Sequence, residues 1–337
     1  MTVARFAAAL VAATLVAGCG GRKRTAAVER DAAVDASGPI IHQLGAPPPS
    51  TPSFDEPRPP MPQPPKTTLL EPGAAPRAVA RYALVAAAER TTSVRAELTV
   101  HGFRDGAWYG PTALPAITDG FSVSVDAGPA VVARALDVVV ASSTDAAATA
   151  AATANTARWR ALLERRRVAI GTDDRGQLAT VRFLDDPDRR RADDELATDE
   201  LAARWQALAV PLPAEPIGVG ARWRTVTRVR LGGAYFKQTG TYRLAARTGD
   251  QLSIEVEHVR LAEPQVLTVP GLPAGASTEL LGIVRTARGT VDVTLASPLP
   301  ARGTLEVTQS THARFTLGPG APIDEVSDDT AVLTIGP

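Results

Sequence analysis

From residue 77 onward, hydrophobic and polar positions alternate along most of the chain with a period of two. The clearest stretch runs from Arg222 to Leu261, where Gly232-Gly233 and Thr248-Gly249-Asp250 separate three alternating segments. Period-two alternation is typical of strands that bury one face. A Gly-Gly pair suits a two-residue hairpin turn, because both positions tolerate positive φ. The stretch therefore predicts an antiparallel meander with one solvated face.

The same alternation predicts further strands on both sides of the meander. Asp173-Asp174-Arg175-Gly176 carries a turn signal between two of them. The last strand is predicted to be short, because only Val332, Leu333 and Ile335 mark it. The predicted strands outside the meander span residues 94–101, 121–125, 168–170, 178–184, 290–295, 305–317 and 332–335.

Two segments are predicted to be helical. Residues 145–165 are rich in alanine, and residues 192–208 open with acidic side chains that favour a helix N-terminus. Leu201, Trp205 and Leu208 follow at i, i+4 and i+7 and form an apolar stripe. A sheet with one apolar face must bury that face against another layer. The chain is therefore predicted to be α+β, with a mostly antiparallel, curved sheet (a half-barrel or clam) packed on one or two helices.

A cavity between the sheet and its helices would give such a protein a place for a hydrophobic ligand. A filled core at the same place would favour a purely structural protein. The side chains predicted to line the cavity are Trp205, Phe236, Tyr242 and Ile254.

The N-terminus carries an apolar segment that ends at Cys19, the only cysteine of the chain. Residues 6–17 have the length of a signal-peptide hydrophobic region and are too few for a membrane-spanning helix. The sequence Val16-Ala17-Gly18-Cys19 resembles the lipobox of bacterial lipoproteins. The resemblance implies that residues 1–18 are a signal peptide and that Cys19 is acylated and becomes the mature N-terminus. An ordinary secretory signal with a coincidental cysteine is the alternative.

The residue after the cysteine implies a location through the same resemblance. In enterobacterial sorting, Asp at this position retains a lipoprotein in the inner membrane, so Gly20 points to the outer membrane. The expected location is the cell envelope, with a lipid anchor and the protein facing the periplasm or the cell surface. Arg22-Lys23-Arg24 would lie against the lipid head groups.

A proline-rich segment follows the anchor. Thirteen of the 28 prolines lie between Pro39 and Pro76, and few large apolar residues accompany them. Such a segment cannot form a core and favours disorder or polyproline II structure. Residues 19–76 are therefore predicted to be a disordered tether that begins at the acylated cysteine. Residues 77–337 are predicted to form one β-rich globular domain.

Composition and motifs exclude several functions. Lys+Arg and Asp+Glu number 36 each, and this balance argues against a nucleic-acid partner. With Cys19 assigned to the anchor, no cysteine remains for a disulfide, a zinc thiolate or a thiol nucleophile. The chain has no Gly-x-Ser-x-Gly, His-Glu-x-x-His or Walker motif. No cofactor, metal ligand or catalytic residue is predicted, and the protein is not expected to be an enzyme.

Two polar positions stand out within the predicted strands. His258 follows the apolar parity of Val256 and is predicted to be a satisfied, partly buried side chain rather than a ligand or a base. Asp329-Thr330-Ala331 resembles the Asp-Thr-Gly/Ala turn of aspartic proteases, but those enzymes need two carboxylates that share a proton. A loop that leads into the last strand explains this triplet.

The segment from Val210 to Trp223, with the sequence VPLPAEPIGVGARW, is the most distinctive internal motif. Its prolines stop a helix, its glycines permit unusual backbone angles, and Trp223 starts the next strand inside the core. The motif resembles the LP-x-x-P-V-x-V-G-x-x-W junction of a family of uncharacterised bacterial lipoproteins, with Ile217 where valine is commoner. That family carries no established activity. At the level of fold, the expected half-barrel is similar to the lipoprotein carriers LolA and LolB.

Together these features predict a non-catalytic envelope lipoprotein whose β-rich domain is a binding or structural module. Its expected partners are the lipid bilayer, through acylated Cys19, and a hydrophobic ligand or another envelope protein. Two alternatives remain open: a structural lipoprotein without a ligand, and an enzyme with an unrecognised site.

Overall fold

The structure is a computed structural model, and it describes twelve stretches of the chain. Cys19, the predicted signal peptide and most of the predicted tether lie outside them. Of the predicted helix at residues 145–165, only Thr149, Ala150 and Thr153 are described, and all three are helical. The described residues are 63–83, 90–104, 107–125, 130–140, 149–150, 153, 168–184, 194–231, 234–262, 264–267, 276–316 and 321–337.

Most of the described residues form β-strands, and one helix is described over its whole length. The strands are β1 (Lys66–Glu71), β2 (Arg90–Arg104), β3 (Ala107–Ala113), β4 (Ile117–Val125), β5 (Ala130–Val140), β6 (Val168–Thr172), β7 (Leu178–Phe183), β8 (Arg222–Leu231), β9 (Ala234–Thr248), β10 (Gln251–Ala262), β11 (Gln265–Leu267), β12 (Ser277–Thr294), β13 (Ser297–Thr316) and β14 (Ile323–Gly336). The helix α1 (Asp194–Leu208) lies between β7 and β8 in the chain.

All fourteen strands belong to one antiparallel sheet. Its order is β1-β8-β9-β10-β12-β13-β14-β2-β4-β5-β6-β7, with β11 added beside β12 and β3 beside β2. The strands β1 and β7 stand at opposite ends of this order and do not pair, so the sheet is not closed into a barrel. The prediction of a mostly antiparallel sheet with a helix is therefore confirmed.

The predicted meander corresponds to β8, β9 and β10, which pair in sequence order. Burial alternates strictly along β8: Trp223, Thr225 and Val229 are buried, whereas Arg222 and Arg224 are exposed. The buried side chains of these strands form one face, called the inner face below. This face carries the main hydrophobic cluster of the molecule.

Helix α1 lies against both ends of the sheet. Leu201 and Trp205 join a cluster with Ile170 and Leu178 of the β6–β7 hairpin, and Ala203 joins a cluster with Val229 of β8. The apolar stripe predicted for this helix therefore faces the core. Strand β7 lies at one end of the sheet order, and β8 lies next to β1 at the other end. Helix α1 contacts both β7 and β8, which do not pair with each other.

The segment from Val210 to Trp223 connects α1 to the meander through buried backbone contacts. The indole Nε1 of Trp223 donates to the carbonyl oxygen of Pro211 at 2.7 Å, and Tyr82 Oη donates to the Val210 carbonyl at 2.8 Å. Gly220 has φ +84°, as the glycine pattern predicts. A Cβ on Gly218 would overlap the Ala74 carbonyl oxygen, so this glycine permits a close backbone approach.

Strand β1 corrects the predicted tether. Lys66–Glu71 pairs with β8, and Ala78 forms a further bridge to Ile217, so the folded part of the chain includes residues 63–76. The boundary expected after Pro76 therefore lies too late in the sequence. Prolines precede and follow β1 but none lies within it, and an edge strand tolerates prolines at its ends.

Strand β14 corrects the interpretation of the Asp-Thr-Ala triplet. The strand is 14 residues long, and Asp329 pairs with Gln309 of β13 on one side and Val100 of β2 on the other. The triplet therefore lies in the middle of a central strand and not in a loop. The polar run before Val332 hid this strand because its inward positions include Glu325 and Asp329.

Within the stretches that the structure covers, no helix combines the length and the apolar character that crossing a membrane requires.

Candidate ligand-binding site

A row of polar side chains crosses the inner face of the sheet. Its members occupy facing positions on six neighbouring strands, from β8 to β14, and this set is called the polar row below. Polar groups that are removed from water need partners, so a continuous row of them at the core is unusual for a sheet. The polar row consists of Thr227, Gln238, Arg260, Arg285, Gln309 and Asp329.

Arg260 is held in position through Gln238. Its Nε and Nη2 donate to Gln238 Oε1 at 3.1 and 2.5 Å. Gln238 Nε2 in turn donates to the Gln206 carbonyl oxygen of α1 at 3.0 Å. The guanidinium also lies over the Phe236 ring, 6.0 Å from its centroid. These contacts orient the guanidinium but supply no negative charge.

Arg260 and Arg285 face each other on the adjacent strands β10 and β12. Burial lowers the pKa of Arg260 to about 10. Burial also lowers the pKa of Arg285, the neighbouring charge of Arg260 lowers it further, and Asp329 opposes the shift. Neither guanidinium forms an ion pair with a carboxylate of the described residues. Like charges that face each other across a sheet destabilise it, so the side-by-side arginines lower the stability of the fold.

Asp329, at the other end of the polar row, is only 6% exposed. Burial raises its pKa to about 7, the nearby carboxyls of Asp328 and Glu325 raise it as well, and Arg285 acts in the opposite direction. Its Oδ1 has no hydrogen-bond partner among the described residues. Asp329 is therefore a weak counter-charge for Arg285, because it is partly protonated near neutral pH.

Glu325 lies four residues before Asp329 on β14, on the same face of the sheet. Its carboxylate already has hydrogen-bond partners. Arg104 Nε donates to its Oε2 at 2.9 Å, with a second contact from Arg104 Nη2, and Tyr109 Oη donates to its Oε1 at 2.9 Å. Burial and the adjacent Glu325 raise the pKa of Tyr109. This carboxylate therefore has its own partners and does not neutralise the arginines of the polar row.

His258 lies beside the polar row, one inward position from Arg260 on β10. It is buried, and its Nε2 lies 3.0 Å from Tyr242 Oη. Burial lowers its pKa to about 3, and the charges of Arg260 and Arg285 add to this effect. The imidazole is therefore neutral and shares a hydrogen bond with the phenol hydroxyl, which agrees with the prediction of a satisfied, partly buried histidine. Gly240 makes room for this contact, since a Cβ there would lie 2.7 Å from Tyr242 Oη.

A cavity of about 90 Å³ lies between α1 and the inner face. Most of its wall is apolar, and its polar wall is formed by part of the polar row and by His258. A volume of this size holds several water molecules. The cavity is lined by Val94, Ala96, Ile117, Arg204, Ala207, Leu208, Gln238, His258, Arg260, Arg285, Ala287, Leu305 and Leu333.

The four residues predicted to line a cavity are all buried, but they lie elsewhere in the core. Trp205 and Tyr242 line a separate cavity of about 10 Å³. Phe236 packs with Val229 in one cluster, and Ile254 packs in the main cluster. Within the described part of the chain, none of the four lines the 90 Å³ cavity.

Sequence reasoning missed the arginines of the polar row, although β10 carried a signal. Leu252, Ile254, Val256 and His258 set an inward parity, and Arg260 continues it. A charged residue on the apolar parity of a strand is a candidate for a functional side chain, because charges are rarely buried without a reason. Arg285 carries the same signal, because Ile283 and Ala287 lie on its parity and are buried.

A second concavity lies on the opposite, solvated face and carries paired charges. It has a volume of about 480 Å³ and a wall that includes exposed charged side chains of β9, β10 and β12. Arg243 Nη1 lies 2.8 Å from Glu255 Oε1, and Arg288 Nη2 lies 2.6 Å from Glu257 Oε1. Because these charges neutralise each other, this groove selects no ligand charge, and the inner cavity is the stronger candidate site.

No group of three or more His, Cys, Asp or Glu side chains suited to a metal ion occurs in the described ranges. Neither the models of known protein families nor the curated proteins include a match to this sequence.

Proposed function

We propose that this chain is a lipid-anchored envelope protein whose β-rich domain binds an apolar ligand between α1 and the inner face of the sheet. The observation that carries the proposal is the 90 Å³ cavity, which has a largely apolar wall and a few convergent polar groups. Small-molecule sites in proteins have this character. In the described part of the chain, the polar groups on the cavity wall are guanidiniums, an amide and a neutral imidazole, and the proposed role is binding without catalysis.

The proposed shape is a half-barrel that wraps the ligand. Seven consecutive strands of the sheet order, from β9 to β4, contribute side chains to the same small cavity. At about 4.8 Å between neighbouring strands, a flat sheet would spread these strands over about 29 Å. A cavity of this size touches all seven only if the sheet curves around it. Helix α1 then closes the open side.

Filling the cavity tests the proposal. Ala287 is buried on the cavity wall, and Ala246 is exposed near the end of β9, so Ala287→Phe and Ala246→Phe add the same side chain at a lining and a non-lining position. We expect native mass spectrometry of the full-length protein from a bacterial envelope to show a non-covalent small molecule on the wild type and on Ala246→Phe. The Ala287→Phe variant should have lost it.

The urea midpoint of each variant shows whether it is folded. A folded wild type that carries no small molecule in repeated preparations would contradict ligand binding and favour a purely structural lipoprotein. Retention of the molecule by a folded Ala287→Phe variant would place the ligand elsewhere.

The membrane anchor has a separate test in Cys19. Since acyl chains on this cysteine would hold the protein in the bilayer, Cys19→Ala should move the protein from the membrane fraction to the soluble fraction. Cell fractionation followed by immunoblotting measures the distribution, with Cys19→Ala and the wild type expressed at equal levels. Membrane association that survives the substitution and a high-salt wash would refute the anchor.

A further inference from the structure

Two unneutralised arginines on the cavity wall determine which ligand the cavity would take. Arg260 and Arg285 face each other across the β10–β12 ladder and line the same cavity as the apolar side chains of β2, β13 and β14. In the described part of the chain, no carboxylate forms an ion pair with either of them. A charge removed from water is costly unless an opposite charge accompanies it, and two like charges side by side raise this cost. An anion between the guanidiniums would remove both costs.

The geometry suits a carboxylate end group. A guanidinium presents parallel N–H donors that match the two oxygens of a carboxylate, and such charge-assisted bonds are stronger than neutral ones. Arg260 is prevented from turning away by its bonds to Gln238, which is itself bonded to α1. Part of its donor set is used in this way, and Arg285 is free of hydrogen bonds to the described residues. Arg260 is therefore a donor group fixed in position, and Arg285 has its N–H groups available for a ligand.

The aliphatic wall of the cavity determines which group can follow the carboxylate in the ligand. Val94, Ile117, Leu305 and Leu333 offer only aliphatic surface, which suits an alkyl chain. The cavity of about 90 Å³ is smaller than the cavity of about 150 Å³ that holds benzene, so it suits a short chain of about four carbons and excludes a fatty acyl chain. The protein's own acid in the polar row, Asp329, is separated from Arg285 by Gln309 on the intervening strand, so it leaves the cavity side of Arg285 open.

We propose that the cavity binds a short-chain carboxylate, whose carboxylate group lies between Arg260 and Arg285 and whose short alkyl chain lies against the aliphatic wall. This inference rests on the proposed ligand-binding function and adds the chemical class of the ligand. A second consequence follows from the same pair of charges: binding of the carboxylate stabilises the fold, because it relieves the repulsion between the arginines.

The experiment compares ligands that share one chain and differ in their end group. Butanoate, butan-1-ol and butylammonium are titrated into the full-length protein, with calorimetry as the readout. We expect butanoate to bind at least tenfold more tightly than butan-1-ol, and butylammonium to bind most weakly. Arg260→Gln and Arg285→Gln should each remove the preference for butanoate and leave butan-1-ol binding within threefold of the wild type.

Arg288→Gln is the matched control, because Arg288 is exposed on the opposite face of the same strand and pairs with Glu257. This variant should keep the preference for butanoate. The urea midpoint of Arg285→Gln without ligand should equal or exceed that of the wild type, which shows that lost binding is not lost folding.

Equal affinity of the wild type for butanoate and butan-1-ol would overturn the carboxylate site while leaving the proposed binding function intact. Absence of binding for all three compounds, in a wild type that is folded, would overturn both. A preference for butanoate that persists in Arg260→Gln and Arg285→Gln would also overturn the site, because the selectivity would then come from other residues.

Discussion

Trp223→Ala is expected to lower the free energy of unfolding by about 3–5 kcal/mol, the cost typical of removing a buried aromatic side chain. Trp223 is fully buried at the start of β8, and its ring stacks on Tyr242 with 5.5 Å between ring centroids. Its indole N–H bonds to Pro211, so the same side chain joins the meander to the segment after α1. Urea denaturation of the full-length protein measures the change.

Trp108 offers a matched control, because it lies on β3 and is 50% exposed. Trp108→Ala removes the same number of atoms but loses only a ring contact with His101, 4.9 Å between centroids, and one with Phe103, so it should cost about 1–2 kcal/mol. Trp223→Phe separates packing from hydrogen bonding. It keeps most of the ring but loses the bond to the Pro211 carbonyl, and a buried acceptor left without a partner costs about 1–3 kcal/mol. Equal destabilisation by Trp223→Ala and Trp108→Ala would show that the predicted core lies elsewhere.

His258 and Asp329 are expected to change stability with pH in opposite directions. The pKa of His258 falls from 6.5 to about 3 on folding, so its contribution is complete above pH 6.5 and is lost as the pH falls towards 3. The pKa of Asp329 rises from 3.8 to about 7, so its contribution is complete below pH 3.8 and is lost as the pH rises towards 7. Between pH 4 and 6.5 the two effects largely cancel in the wild type.

Single substitutions separate the opposing effects of His258 and Asp329 on the pH dependence of stability. Relative to the wild type, His258→Asn should gain about 2–3 kcal/mol of stability as the pH is lowered from 7 to 4, and Asp329→Asn should lose a similar amount over the same range. Burial also lowers the pKa of His312, but this side chain is present in all three proteins and cancels in the comparison. Asp292 and Asp324 have lowered pKa values and titrate below this window.

Urea titrations at four pH values between 4 and 7.5 provide the comparison. Thr304→Asn, a substitution of an exposed side chain on β13 that does not titrate, is the control and should run parallel to the wild type. If the two test variants also run parallel to the wild type, neither side chain carries the shift assigned to it.

The sequence predicted the local structure well wherever one face of a strand is apolar. The alternation in β8 and β10 identified both strands and the side chains that they bury, including His258. The stripe of Leu201 and Trp205 identified α1 and the face that it turns to the core. These features depend on residues two to seven positions apart, so the local pattern is sufficient.

The pattern missed β1, β3, β5 and β11 and recovered only the last part of β12 and of β14. For β1 and β14 the reason is identifiable. Strand β1 is six residues long, lies at the edge of the sheet and is flanked by prolines, so composition alone assigned it to the tether. The first half of β14 places Glu325 and Asp329 on the inner face, which breaks the apolar parity. In both cases the partner strand, and not the strand's own sequence, supplies the stabilising contacts.

The candidate site also separates what the local sequence predicts from what the tertiary structure determines. Trp205, Phe236, Tyr242 and Ile254 were correctly expected to face inward, because parity determines the face of a strand. Parity does not determine which inward residues meet at a gap. The cavity collects side chains from seven strands and α1, and its two arginines come from strands joined by a connection of 14 residues, from residue 263 to residue 276.

By itself, the sequence determined the faces of the strands and of α1, the antiparallel meander and the apolar segment ending at Cys19, whose acylation stays a prediction. Tertiary structure alone decided that Arg260 and Arg285 stand side by side and that an apolar cavity opens next to them. The physical reason is the range of the interactions. The periodicity of a strand or helix depends on residues close together in the sequence. The register between strands is set only when segments far apart in the chain pair and the sheet assembles around α1.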